Sequence, residues 1–175
     1  MGWTFSTYFD SNRRAVLDQE FQYETPTAST RVIKSAMVGS TYYAAVENMN
    51  KQTGERKVFA LIALTRAGRD GGWGYKDMDE TMGPYETRCP ASILDLLSPT
   101  DNQYALEWRQ RCRDYIARKK AAPKPVAGMI VTVGQHQYRL DSPVRNARLG
   151  WHVTRVSDGR WFRMPARQLN AALRA

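Results

Sequence analysis

Residues with reactive side chains are scarce in this sequence. It holds two cysteines, Cys89 and Cys112, and two histidines, His136 and His152, in 175 residues. None is spaced as C-x2-C or H-x3-H, which argues against a zinc finger. Neither cysteine has a histidine close by in sequence. Cys112 also falls on the apolar face of an expected helix, so both thiols read as small core residues. No apolar run approaches the roughly 18 residues of a membrane helix. The opening, MGWTFSTYFDSN, lacks a basic stretch and an apolar core, so no secretory signal is expected. Internal repeats and low-complexity tracts are absent. The expectation is a cytoplasmic protein with no cofactor and no membrane contact.

The composition is otherwise ordinary: 42% hydrophobic and 25% charged residues suffice for a core without disulfide or metal. Charge is the exception. The net value is +9, and it is unevenly placed. Residues 1–122 carry 17 Lys/Arg against 15 Asp/Glu, whereas residues 123–175 carry nine against two. Eight of those nine cations are arginine, whose planar fork suits phosphate and carboxylate. A basic module attracts nucleic acid or an acidic protein surface. It also serves plain solubility, and that reading stays open.

The patterning predicts an α+β fold in two parts. Residues 1–122 read as an α+β domain and residues 123–175 as a small basic β module, joined through AAPKP at 121–125. In the first part, a helix capped by Asp10 or Ser11 runs to Phe21, with Val16, Leu17 and Phe21 inward. Three strands follow at 31–38, 41–49 and 58–64, the first two joined by the Gly39-Ser40 turn. They form an antiparallel three-stranded sheet with flanking helices. Pro90 opens a short helix, and Asp101 caps a longer one over 102–120. In the second part, strand signals lie at 129–133, 137–140, 151–156 and 160–164, with a Ser157-Asp158-Gly159 turn. A last helical stretch lies at 167–173. Four or five short strands in about fifty residues suggest a small SH3-like or OB-like barrel.

The densest local pattern is Gly71–Tyr85, GGWGYKDMDETMGPY. Asp77, Asp79 and Glu80 fall within four positions beside Lys76. Such carboxylates can hold Mg²⁺ or Mn²⁺ and serve a metal-dependent nuclease or hydrolase. No metal is assigned, because one short loop supplies all three. Two other readings are open. Trp73, Tyr75, Lys76, Asp77, Asp79 and Tyr85 can form a binding surface, or the segment can be scaffolding in which the acids cap a turn.

This run, with the Cys89-Pro90 step, the opening MGWTF and the segment EWRQRCRDY, resembles a family of small plasmid, phage and other mobile-element proteins. No activity or catalytic residues are established for that family, so the resemblance carries over no residue roles. It implies an accessory protein of a mobile element. Such proteins commonly bind nucleic acid or blunt host defence.

The C-terminal module interleaves aromatics with arginines. The candidate contacts there are Arg139, Arg145, Arg148, Trp151, Arg155, Arg160, Trp161 and Arg163, with Arg109 and Arg113 on the long helix. Aromatic faces stack on unpaired bases while arginine meets the backbone. Strand alternation puts Trp161 and Arg163 on one face and Phe162 and Met164 on the other. It likewise groups Trp151, Val153 and Arg155. The competing expectation is that Trp151 and Trp161 are the core of a tiny barrel. The function expected is a non-enzymatic mobile-element protein that binds nucleic acid or a host nucleoprotein complex. Alternatives are a protein-directed inhibitor of a restriction or CRISPR-type complex, and a hydrolase built on Asp77, Asp79 and Glu80.

Overall fold

Period-two alternation and glycine turns build two antiparallel sheets, each in its own unit. The structure is a computed structural model that describes residues 2–5, 13–67, 73–83, 86–145 and 149–173, with the backbone alone at 2–5, 13, 65–67 and 73–77. The chain divides into Met1–Ala117 and Arg118–Ala175. Among the described residues, no helix is long and apolar enough to cross a membrane.

The first unit contains strands β1 (Gly2–Phe5), β2 (Tyr23–Glu24), β3 (Ala28–Val38), β4 (Thr41–Asn50), β5 (Arg56–Ala67) and β6 (Trp73–Asp79). Its helices are α1 (Arg13–Glu20), α2 (Ala91–Leu94) and α3 (Gln103–Ala121), the last running past the division between the units. The expected three-stranded sheet is only the centre of a six-stranded one, ordered β1-β6-β5-β4-β3-β2. The central motif, read from sequence as a loop, enters the sheet as β6. It pairs with β5 from Leu61↔Asp79 to Ala67↔Trp73. The opening segment then covers its far edge, from Gly2↔Lys76 to Phe5↔Trp73. An unpaired strand edge leaves N–H and C=O groups to be satisfied. That demand recruits two segments whose glycines and charges conceal any alternation.

Strict alternation also fails once in β3. The register shifts between Val32 and Lys34, leaving Ile33 as the extra residue of a bulge. The bulge reverses the phase, so Val32 lies on the same face as Met37 rather than with Val38. Residues 41–46 of β4 are buried on both faces. On one face, Tyr43, Ala45, Ala60 and Ile62 meet Ile93 and Leu94 of α2 and Trp108 and Cys112 of α3. On the other, Tyr42, Ala44, Val46 and Ala63 meet Leu17 of α1. Asn102, not Asp101, caps α3: its Oδ1 accepts from the Ala105 amide at 3.0 Å.

The second unit holds β7 (Ile130–Val133), β8 (His136–Pro143), β9 (Gly150–Arg155), β10 (Trp161–Pro165) and α4 (Ala166–Ala172). Its four strands form an antiparallel meander ordered β10-β9-β8-β7. Among the described residues this sheet is open, with β7 and β10 as its edges, where a small SH3-like or OB-like barrel was expected. Closure is unnecessary because α4 supplies the missing cover. Leu169 packs with Val131, Leu140, Trp151, Val153 and Met164 in a core between helix and sheet.

Candidate nucleic-acid interface

Directly paired residues of an antiparallel sheet point to one side. In the second unit, one side is the core face, carrying Leu140, Trp151, Val153 and Met164. The opposite side is turned away from that core. Register places Ile130, Arg139, Thr154 and Trp161 in one row across it. The next row holds Ser142, His152 and Arg163.

The two tryptophans therefore separate. Trp151 is core, at 5% exposure, whereas Trp161 is 61% exposed. Trp161 stacks on His152 with ring centroids 4.9 Å apart and planes inclined by 21°. The two are diagonal neighbours across β9 and β10, a spacing that aromatic side chains bridge. A large exposed aromatic is the informative exception on a protein surface. Sequence spacing alone treats His152 only as a zinc ligand. The alternation that groups Trp151, Val153 and Arg155 puts His152 on the opposite face, so the signal was present in the strand pattern.

The arginines also sort by face. Arg163 is exposed beside His152 and makes no ion pair among the described residues. Arg139 lies on the same face, where its Nε meets Asp141 Oδ1 at 3.2 Å. Asp141 also accepts from the Thr154 hydroxyl at 2.7 Å. Arg160, in the turn before Trp161, stands 3.6 Å from Asp158 and stays largely exposed. Arg155 belongs to the core face. Its guanidinium lies 5.1 Å from the Phe162 ring centroid and pairs with Asp158 through two nitrogens. That hydrogen bonding lowers the Asp158 carboxyl to about 2. Phe162 itself meets Tyr138 edge-on at 5.9 Å. Arg145 is exposed in the β8–β9 connection at φ 30°. Arg148 lies outside the described residues.

The remaining candidates lie in the first unit. Arg109 forms a two-pronged pair with Glu80: Nε to Oε2 and Nη2 to Oε1, both 2.8 Å. Its Nη1 donates to the Ser98 carbonyl at 2.8 Å. Glu80 is 2% exposed and also accepts from the Ala60 amide at 3.2 Å. Asp79 caps the 3₁₀ turn 80–82, accepting from the Thr81 amide at 2.8 Å and the Thr81 hydroxyl at 2.5 Å. Asp79 and Glu80 thus take separate structural partners. No group of three or more potential metal ligands occurs among the described residues. The backbone of Trp73, Tyr75, Lys76 and Asp77 lies in β6, and Tyr85 is outside the described residues. Arg113 is exposed, with Nη1 3.5 Å from Asp95.

Both cysteines are buried and unpaired. Burial pushes each thiol up, Cys112 to about 11, so neither supplies a thiolate near neutral pH.

Residues 99–141 match a family described as a domain of unknown function (DUF6927). The match covers α3, β7 and most of β8. No curated protein and no solved structure matches the chain.

Proposed function

We propose that this protein binds nucleic acid through the outward sheet face of its second unit, without itself performing a reaction. The observation that carries the reading is the exposed Trp161–His152 stack with Arg163 in the adjacent row. An aromatic surface beside an uncommitted guanidinium supplies the two elements that nucleic-acid platforms combine. The excess of nine cations over two acids in residues 123–175 supplies the long-range attraction.

The resemblance of the central motif to mobile-element proteins supports an accessory role for such binding, and the cytoplasm is the setting proposed for it. The target is nucleic acid itself or a nucleic-acid-handling host complex, and counteraction of host defence is one use of that contact.

Binding to labelled DNA and RNA, followed by anisotropy at rising salt, tests the reading. Phosphate neutralisation releases counterions, so affinity must fall as salt rises. Arg163→Glu weakens binding to every sequence alike. Absence of binding at low salt, or an affinity indifferent to both salt and Arg163→Glu, would refute it.

A further inference from the structure

From the same sheet face we infer the class of ligand: a single strand, with an unpaired base laid on the open side of the Trp161 ring. The inference rests on the nucleic-acid reading and narrows it. Trp161 has two ring faces, and His152 occupies one at 4.9 Å. Trp161 remains 61% exposed, with no second ring contact among the described residues. A base placed there extends the stack to three rings. Bases inside a duplex are already stacked on both sides and do not offer a free π-face. Every unpaired base does, which makes such stacking tolerant of sequence.

The charge on this face points the same way. Arg163 is two residues from Trp161 on the same strand, about 7 Å along it. Arg139 lies two strands away in the Trp161 row, about 10 Å across the sheet. Asp141 offsets part of this charge through Arg139. Two cations beside one stacking ring fit a short run of single-stranded backbone. A protein that grips duplex DNA commonly makes more phosphate contacts, spread over a wider surface.

With two phosphates engaged, log K against log salt has a slope of about −1.4 on a single strand. The test titrates full-length protein with a labelled single-stranded oligonucleotide, its duplex, and an abasic strand that keeps the phosphates without bases. The variants are Trp161→Leu, which keeps apolar bulk without the π-face, Trp161→Phe, which restores a ring, and Arg163→Ala. Removing a stacking side chain lowers affinity by about 5- to 150-fold. The expected result is preference for the intact strand, with a loss in that range on Trp161→Leu and recovery on Trp161→Phe. The abasic strand binds the wild type and Trp161→Leu equally weakly. Equal or tighter binding of the duplex, or a Trp161→Leu variant that still separates intact from abasic strands, overturns the single-strand inference. In that case a loss on Arg163→Ala keeps the broader reading alive. No binding of any of the three ligands sinks both. Far-ultraviolet circular dichroism of each variant confirms the fold, which an exposed indole is not needed to hold.

Discussion

Glu80 and Arg109, 29 residues apart in sequence, form a buried pair with two parallel hydrogen bonds of 2.8 Å. One had been a candidate catalytic carboxylate and the other a candidate phosphate contact, and the fold spends both on each other. The pair ties the 3₁₀ turn after β6 to α3. Through the Ser98 carbonyl it also holds the connection between α2 and α3.

The first prediction concerns this pair. Removing one partner of a buried ion pair leaves an uncompensated charge, which costs about 3–5 kcal/mol. Arg109→Met should destabilise the protein in that range. Arg109→Met with Glu80→Leu should cost less than Arg109→Met alone, because no orphan charge remains. Urea unfolding of the three proteins measures the difference. Equal losses for the single and double variants would show that the pair contributes nothing specific.

Alkaline pH should weaken the first unit. Burial is the leading cause of upward shifts at Cys89, Cys112, Tyr42 and Tyr43, and Tyr42 also donates to Asp18 at 2.7 Å. A raised acid stays neutral when folded but ionises when unfolded. Its contribution is therefore complete below the unfolded value and is lost as pH rises toward the folded one. For Cys112 that window runs from 9.0 to about 11. Each such group costs about 1.4 kcal/mol per pH unit inside its window. The urea midpoint should hold between pH 7 and 8.5 and fall steeply above 9. In the same samples, thiol reagents should react slowly until the protein unfolds.

Gly150 opens β9 at φ +135°, and a Cβ there would stand 2.3 Å from the Met164 carbonyl oxygen. Gly134 turns at φ +61° with open space around it. Gly134→Ala therefore carries only the cost of the left-handed backbone, about 1–2 kcal/mol. Gly150→Ala adds a clash with the paired strand and should cost clearly more. Because β10 carries Trp161, Gly150→Ala should also impair ligand binding in proportion to its loss of pairing. Thermal unfolding of both variants, read with the binding titration, checks the order.

Asp158 restrains Arg155 closely and Arg160 more loosely. Asp158→Asn removes one negative charge and leaves Arg160 uncommitted. It should tighten nucleic-acid binding and make the salt slope steeper. Reversal, with weaker binding and an unchanged slope, would mean that the turn geometry matters more than the released charge.

Much of the fold was legible in local pattern. The Gly39-Ser40 turn, the strand at 41–49 and the strand signals of residues 129–164 all lie within a few residues of observed elements. The candidate site was partly legible for the same reason. Alternation set Trp161 and Arg163 on one face, and the observed register agrees. It did not say which face is covered, and that required α4 to fold back over Trp151 and Val153.

Alternation, turn glycines and helix stripes are short-range properties, set by backbone sterics and side-chain spacing, so the chain states them residue by residue. Sheet order, the phase reversal at Ile33, and the pairing of Glu80 with Arg109 are not written locally. They follow from which edges need hydrogen bonds and which charges must be neutralised once water is excluded. Those demands arise only when distant segments meet. The cationic surplus is visible in the amino acids; which face of the second sheet stays uncovered to meet a ligand depends on where α4 comes to rest.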